Sequence, residues 1–184
     1  MKQAVRWVPP EEHMLKVNLD GSFYDSSAAI GLVCRNHWGH VQWTFTDKVK
    51  SISAFMTEAL ALKRALMIAH DLRNKNVVFE TDIQILLRQV ENGQQDLCEW
   101  QSRSIIDDIL FALKAESSFL VRFTPRQRNK AANLLAAFTN KEVCPVGWVG
   151  IPLPSLSLVL EEDRQSIRSH QEQVFEQPRY LDPG

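Results

Sequence analysis

The sequence has few of the residues that define several classes of protein. It contains only three cysteines, Cys34, Cys98 and Cys144, which are far apart and lack Cys-x-x-Cys spacing, so neither a disulfide framework nor a zinc site is indicated. Seven glycines and eight prolines in 184 residues are too few for a fibrous or low-complexity chain. No run of about 18 apolar residues is present, which excludes a transmembrane helix. The N-terminus, MKQAVRWVPPEEH, lacks the apolar stretch of a secretory signal, and we expect an intracellular protein of the nucleus or cytoplasm.

Neither sign of charge predominates over the whole chain, whose 21 Lys and Arg face 22 Asp and Glu. Residues 14–142 carry 16 basic against 14 acidic residues, whereas residues 143–184 carry 3 against 6. A weakly basic centre with an acidic tail is compatible with a polyanionic substrate but does not by itself indicate one.

Composition predicts one compact domain between two flanking segments. Residues 1–13 contain two adjacent prolines and resemble a linker, and residues 143–184 hold five of the eight prolines. We expect the domain to occupy residues 14–142 and about the last fifteen residues of the Pro-rich acidic tail to be disordered. The apolar piece Leu156 to Leu160 leaves two alternatives, since it either docks on the domain or begins a helix. The linker-like start is also compatible with a piece of a longer polyprotein.

Hydrophobic patterning predicts an α/β domain. Three strands, Leu15–Phe23, Ala28–Arg35 and Val41–Thr46, follow one another through short turns and indicate an antiparallel meander. The later elements are a helix from Ser53, its N-cap, to Leu72, a strand over Asn76–Thr81, a helix after Asp82 that ends at Gly93, a helix over Trp100–Lys114, a strand over Phe119–Phe123 and a helix over Arg128–Phe138. The strand–helix–strand order favours parallel pairing of the last two strands, so we predict a mixed five-stranded sheet with helices on both faces.

Three acidic residues lie where core packing does not require a charge. Asp20 lies inside the apolar strand KVNLDGS and shares a face with Lys16 and Asn18; Glu58 lies in the apolar helix FMTEALALKRAL. Asp82 follows the run VVFET at the end of a strand, where ligands collect in open α/β sheets. Each acid alone also fits an ordinary structural role: a turn residue, an exposed helix position and a helix N-cap. Their order along the chain is what suggests a shared site.

The segments that carry these acids resemble the ribonuclease H type 1 family, specifically the plant branch of reverse-transcriptase-like RNase H domains associated with non-LTR retroelements. The matching segments are KVNLDGS, AIGLVCRNHWGHV, TEALALKRAL, VVFETD and RNKAANLLAAF. The leading WVPPEEHMLKVNLDG and the trailing GWVGIPLPSLSLVLEEDR also look like that branch, so the resemblance spans about residues 7–163. It implies the strand order 3-2-1-4-5, which agrees with the predicted elements.

The resemblance also implies catalytic residues. Asp20, Glu58 and Asp82 fall on the first three catalytic acids of the family. The fourth acid, which the family places in the pattern N-x-x-A-D-x-L-A, is replaced here by Asn133. A His that often lies two residues before the Pro-Arg pair of the preceding loop is also missing, because the sequence there reads FTPR.

The chemistry implied by this resemblance is Mg²⁺-dependent endonucleolytic hydrolysis of the RNA strand of an RNA/DNA hybrid, which leaves a 3′-hydroxyl and a 5′-phosphate. Two Mg²⁺ ions, or Mn²⁺ in their place, would be held by Asp20, Glu58, Asp82 and the amide oxygen of Asn133, with Asp20 bridging both. Because Asn133 brings no charge, we expect weaker binding of the second ion and reduced activity.

Six further residues are candidate contacts to nucleic acid. They are Gly21, Ser22, Gln84, Arg126, Arg128 and Lys130. The first two offer backbone groups for close approach, the third matches a position where relatives contact bases or sugars, and the last three form a basic cluster suited to phosphates. The cluster also has a plain explanation as a solvated loop. Residues 92–99, where some members of the family carry a basic insert, contain no Lys or Arg, so we expect weak and salt-sensitive hybrid binding.

Two classes of function therefore remain open. The first is an RNA/DNA hybrid ribonuclease weakened by the loss of one carboxylate. The second is a catalytically decayed nucleic-acid- or protein-binding module derived from a retroelement, which Asn133, the missing His, the near-zero net charge and the acidic tail favour. Neither hypothesis includes a membrane partner or a small-molecule cofactor.

Overall fold

The first three strands form an antiparallel meander, as the alternating pattern predicts. In the computed structural model, which describes residues 5–92, 100–148 and 153–175, the strands are β1 (Leu15–Tyr24), β2 (Ser27–Arg35) and β3 (Val41–Lys48). In the β1–β2 ladder, Asp20 lies opposite Gly31. The meander thereby places Asp20 in a central strand of the sheet.

Two parallel strands, β4 (Val77–Thr81) and β5 (Phe119–Phe123), extend the sheet on the other side of β1. The predicted order of the five strands, 3-2-1-4-5, is confirmed, since the sheet runs β5-β4-β1-β2-β3 before a last strand. That strand, β6 (Gly147–Trp148), pairs antiparallel with β3. We did not predict β6, because two residues are too few to show an alternating pattern.

Helices cover both faces of the sheet. One face carries the larger core, to which β1, β2, β4, β5, α1 (Ala54–Asp71), α2 (Gln84–Asn92) and α3 (Arg103–Ala115) contribute. A single 3₁₀ turn over Trp100–Ser102 precedes α3. The Ser53 hydroxyl accepts a hydrogen bond from the Met56 backbone N–H at 3.1 Å, so the predicted N-cap of α1 is confirmed. In the described part of the chain, no helix combines the length and the apolar composition that a bilayer span requires.

The other face of the sheet carries α4 (Lys130–Asn140), which packs closely on β2. The close approach depends on Gly31, where a Cβ atom would lie 2.5 Å from the Ala136 backbone nitrogen and 2.6 Å from the Ala132 carbonyl oxygen. Because side chains do not approach backbone atoms at such distances, only glycine lets α4 lie this deep. The depth of α4 matters for function, because it brings the helix beside Asp20 on the neighbouring strand.

The acidic tail contributes a long helix, α5 (Pro154–Phe175), to the same face. Leu156 and Leu160 are buried with Val33 of β2 and Leu135 of α4. The apolar piece singled out in the sequence therefore both docks and forms part of a helix. The helix ends at Phe175 and so extends into the last fifteen residues, for which we expect disorder. Residues 176–184 lie outside the described residues.

A buried arginine joins both flanking segments to the sheet. Arg35, at the end of β2, is 1% exposed; its Nη1 donates to Asp163 Oδ2 of α5 at 2.7 Å and its Nη2 donates to Asn18 Oδ1 at 2.9 Å. The guanidinium carbon lies 3.7 Å from the centre of the Trp7 ring, and the indole N–H of Trp7 donates to the same Asn18 oxygen at 2.7 Å. The N-terminal segment and α5 thus share one buried cation.

A second buried ion pair, Lys16–Glu80, joins β1 to β4. Lys16 Nζ lies 2.6 Å from Glu80 Oε1 of β4 and donates to the Val8 carbonyl oxygen at 2.7 Å, while Asn18 Nδ2 donates to Glu80 Oε2 at 3.1 Å. Burial lowers the pKa of Lys16 more than Glu80 raises it. Lys16, Asn18 and Asp20 share a face of the strand, as predicted, and this face is polar as far as the candidate site.

We expect Asp163→Ala to destabilise the protein by about 3–5 kcal/mol, because it leaves the buried Arg35 guanidinium without its counter-charge. Glu162→Ala, which also removes one carboxylate but at the exposed neighbouring position, should change the free energy of unfolding by about 0.5 kcal/mol or less. Urea denaturation of both variants measures the difference. Equal stability of the two variants would show that the Arg35–Asp163 pair does not anchor α5.

Candidate metal and nucleic-acid site

Three carboxylates meet at one end of the sheet. Asp20 comes from β1, Glu58 from α1, and Asp82 from the residue that follows β4. One oxygen of each lies within 4.8 Å of the others. Asp20 and Glu58 are each 3% exposed, whereas Asp82 is half-buried. The three acids singled out in the sequence therefore form one cluster, although they are far apart in the chain.

Glu58 is held in place by the contact between α1 and β1. The backbone N–H of Gly21 donates to Glu58 Oε1 at 3.0 Å. A Cβ atom at Gly21 would lie 2.9 Å from Thr57 Cγ2 and 3.0 Å from the Glu58 backbone nitrogen, so glycine lets α1 approach β1. From the sequence we expect the absence of a side chain at Gly21 to let nucleic acid approach the backbone. In the structure, α1 occupies the space beside Gly21. The other oxygen, Glu58 Oε2, is buried and has no hydrogen-bond partner among the described residues.

Asn133 completes the cluster from α4. Its Nδ2 donates to Asp20 Oδ2 at 3.1 Å, and its side chain is half-buried. The position that the resemblance assigns to a fourth acid is therefore beside Asp20, but it presents an amide. This amide stabilises the ionised form of Asp20 by a hydrogen bond and adds no negative charge.

Asn129 is a residue of this site that we did not identify from the sequence. It is fully buried and occupies the N-cap position of α4, yet it makes no side-chain capping hydrogen bond. Its Nδ2 donates instead to the carbonyl oxygen of Leu19 at 2.8 Å, in the residue before Asp20. The sequence signal was the first Asn of the family pattern N-x-x-A-D-x-L-A, which falls on Asn129, but the pattern does not indicate what this side chain contacts. The predicted helix over Arg128–Phe138 also included Asn129, whereas α4 begins at Lys130.

Crowding and burial raise the pKa values of all three carboxyl groups. Burial, reinforced by the charge of Asp82, raises the pKa of Asp20 to about 7, although Arg126 and the Asn133 hydrogen bond oppose the shift. Burial and then the charge of Asp20 raise the pKa of Glu58 well above its usual value. Burial also raises the pKa of Asp82, against the effect of Arg126. The metal-free cluster therefore favours protonation at a pH where isolated carboxyls are ionised.

The cluster fits a divalent cation. Its donors are carboxylate oxygens, the hard ligands that Mg²⁺ and Mn²⁺ prefer, and they converge from three directions. Glu58 Oε2 is a buried acceptor left without a partner, which a cation would satisfy. A positive charge would also relieve the mutual repulsion of the acids.

The other predicted contact residues lie in different settings. Ser22 Oγ and the Ser22 carbonyl oxygen accept hydrogen bonds from Asn140 Nδ2 of α4 at 3.1 and 3.4 Å, so both groups already have a partner. Gln84 is exposed at the start of α2. Phe123, at the position of the missing His, is 38% exposed. Residues 93–99, most of the link without basic residues, lie outside the described part of the chain.

The predicted basic cluster splits into two kinds of side chain. Arg126 and Lys130 are exposed, whereas Arg128 is half-buried and its Nε is buried without a partner among the described residues. Arg126 lies close enough to the acids to lower the pKa values of all three. Arg126 and Lys130 are therefore the two cations available to a phosphate.

The raised pKa of Asp20 predicts a pH dependence of stability. Because the folded, metal-free protein binds a proton at Asp20 more tightly than the unfolded chain, its free energy of unfolding should fall as the pH rises from about 4 to about 7, by roughly 1–4 kcal/mol. Asp20→Asn removes this titration and should reduce the slope. Asp25→Asn, in the exposed β1–β2 turn, should keep it. Thermal unfolding in EDTA at several pH values measures how stability changes with pH. An identical pH dependence for the wild type and Asp20→Asn would contradict the raised pKa of Asp20.

Comparison with solved structures shows an RNase H fold. RNase H1 from Halobacterium salinarum NRC-1 superposes with a TM-score of 0.65 at 21% identity, covering 70% of this chain and 98% of that one. The N-terminal RNase H domain of rv2228c from Mycobacterium tuberculosis, solved as a fusion with maltose binding protein, gives 0.63 at 16% identity and covers 71% and 95%. LC11-RNase H1, solved in complex with an RNA/DNA hybrid, gives 0.61 at 18% identity and covers 70% and 97%. At these identities the likeness concerns the fold.

Family membership follows from the sequence match. No curated protein matches the chain. A family model described as reverse transcriptase-like matches residues 18–139, which is more than half of the chain and includes Asp20, Glu58, Asp82 and Asn133. The chain therefore belongs to the reverse transcriptase-like family.

Proposed function

We propose that this protein is an endonuclease that hydrolyses the RNA strand of RNA/DNA hybrids with the help of two Mg²⁺ ions, for which Mn²⁺ can substitute. The observation that carries the proposal is the cluster of Asp20, Glu58 and Asp82, with ligand oxygens within 4.8 Å of one another at one end of an RNase H-like sheet. The hybrid-bound structure of the similar LC11-RNase H1 supports this choice of substrate.

Each residue of the cluster has a separate task in the proposed reaction. Bound Mg²⁺ would activate the attacking water and stabilise the departing 3′ oxygen. Asp20, Glu58 and Asp82 supply the negative charge that holds divalent cations, and the amide oxygen of Asn133 is a neutral ligand. The Gly21 N–H fixes Glu58 through Oε1 and leaves Oε2 for a ligand.

Substrate binding relies on the exposed cations beside the cluster. Arg126 and Lys130 offer their charges to phosphates, and exposed Gln84 lies at the start of α2, directly after Asp82 and Ile83. Gly21 and Ser22 follow Asp20 in β1 and lie at the same end of the sheet. With few free cations near the site, hybrid binding should be weak, and because it relies on contacts between cations and phosphates it should weaken further as the salt concentration rises.

We further propose that the chain derives from a plant non-LTR retroelement. The leading and trailing segments that resemble the plant non-LTR branch contribute Trp7 and Asp163, and both contact Arg35. The likeness therefore includes residues that are packed on the sheet.

The alternative is a decayed module that binds nucleic acid or protein without cleaving it. Asn133 favours this alternative, because the cluster has one charge fewer than the family pattern and the amide hydrogen bond partly occupies Asp20. The two functions differ in what an added carboxylate would do, since only an otherwise intact centre can gain from it.

The proposal predicts cleavage of the RNA strand in a labelled hybrid with Mg²⁺ or Mn²⁺. Asp20→Asn should lower the rate by on the order of a hundredfold or more, because it removes one of the three negative charges that would hold the divalent cations. Asp25→Asn makes the same chemical change in the exposed β1–β2 turn and should retain the wild-type rate. Gel analysis of the products checks both variants. Absence of cleavage by the wild type at every concentration of either metal would reject the enzymatic function.

Asn133→Asp distinguishes a weakened enzyme from a decayed one. The added carboxylate beside Asp20 should destabilise the protein in EDTA by repulsion, and it should raise activity at limiting Mg²⁺ on the order of tenfold by strengthening metal binding. Gln42→Glu places the same charge at an exposed position of β3, outside the acid cluster, and controls for the change in net charge. Cleavage rates across a Mg²⁺ titration measure the effect. An unchanged Mg²⁺ dependence would favour the non-catalytic module.

A further inference from the structure

A cleft of about 440 Å³ lies between the loop before α4, α4 itself and α5. Its lining residues are Arg126, Gln127, Lys130, Asn133, Leu134 and Val159. The volume lies within the range of small-ligand sites, which corresponds to one nucleotide unit rather than to a duplex.

The lining of this cleft combines two kinds of surface. Arg126 and Lys130 are exposed cations that form no ion pair and no side-chain hydrogen bond with any described residue. Leu134 and Val159 are half-buried and present an apolar surface. A ligand that carries an anionic group and a flat apolar face would match both parts, and a nucleotide has these properties.

The cleft adjoins the acid cluster at Asn133. Asn133 lines the cleft and donates a hydrogen bond to Asp20 Oδ2 at 3.1 Å. Arg126 lines the cleft and is close enough to lower the pKa values of Asp20, Glu58 and Asp82. A strand cleaved at the acids would therefore place a neighbouring nucleotide at the entrance of the cleft.

One wall of the cleft comes from α5, which lies beyond the residues that match the family model. The helix is fixed by the buried Leu156 and Leu160 and by the Arg35–Asp163 ion pair. Val159 therefore belongs to a helix whose position on the sheet is fixed. This wall therefore lies outside the region that the family model matches.

We propose that this cleft binds one unpaired nucleotide of the RNA strand next to the scissile phosphate, with its phosphate at Arg126 and Lys130 and its base against Leu134 and Val159. The faces of a paired base are covered by its neighbours in the stack, so the apolar wall is useful only to a base that has left the duplex. The proposal rests on the proposed function and specifies its substrate as a hybrid interrupted by unpaired RNA.

Binding without metal tests the cleft separately from catalysis. Fluorescence anisotropy in EDTA compares a continuous hybrid with the same hybrid carrying a three-nucleotide gap in its DNA strand, which leaves RNA unpaired between two paired regions. The wild type should bind the gapped hybrid at least about fivefold more tightly, because the unpaired base buries apolar surface that a paired base cannot. Equal affinity of the wild type for both probes would overturn the proposal.

Variants of α5 test whether the preference for the gapped hybrid depends on the cleft. Val159→Asp should abolish it, and Val159→Ala should reduce it with a smaller disturbance of the α4–α5 packing, to which Val159 contributes. Leu158→Asp, at the neighbouring position that is 68% exposed and outside the cleft, should retain it. Loss of the preference in Leu158→Asp as strongly as in the Val159 variants, or its retention in both Val159 variants, would reject the assignment to the cleft.

Cleavage with Mg²⁺ separates the two proposals. Preferential cleavage beside the gap would support both the endonuclease and the nucleotide-binding cleft. Equal cutting of both hybrids by a wild type without binding preference contradicts the cleft and leaves the endonuclease standing. Preferred binding of the gapped hybrid without any cutting contradicts the endonuclease and supports the cleft as a binding site.

Discussion

The repulsion among three carboxylates in a poorly solvated corner is the constraint on which the rest of the site depends. Asp20, Glu58 and Asp82 present oxygens within 4.8 Å of one another, and burial raises the pKa of each. Such a cluster opposes folding unless something offsets its charge. Arg126 and the Asn133 amide offset part of it. A divalent cation, for which these oxygens are suitable ligands, would offset the remaining negative charge and would account for the arrangement.

The scaffold holds the acids together through close approach of backbone elements. Gly21 admits α1 to β1 and Gly31 admits α4 to β2, and a Cβ atom at either position would collide with the helix. Asn129 then links the start of α4 to the residue before Asp20. On the same face of β1, Arg35 fixes α5 and the N-terminal segment. The site and the flanking segments are therefore parts of one packed structure.

Much of the fold could be predicted from the sequence, because period-two and helical patterns record which side chains face the core. The five main strands and α1 follow from these patterns, and the order of the strands follows from the resemblance. The acid cluster was predicted from residue order and resemblance together. The contacts of Asn129 and Arg35 could not be predicted, since single long-range hydrogen bonds leave no periodic signal. The role of Gly21 towards α1 depends on helix depth, which patterning does not encode.

The most direct test of the central claim is a crystal structure of the wild-type protein soaked with Mn²⁺, with anomalous diffraction data to locate the metal. The account predicts a strong anomalous peak at a distance of about 2.0–2.2 Å from oxygens of Asp20, Glu58 and Asp82. A map without a peak at this cluster under saturating Mn²⁺ and at alkaline pH, which favours the ionised carboxyls, would contradict the account.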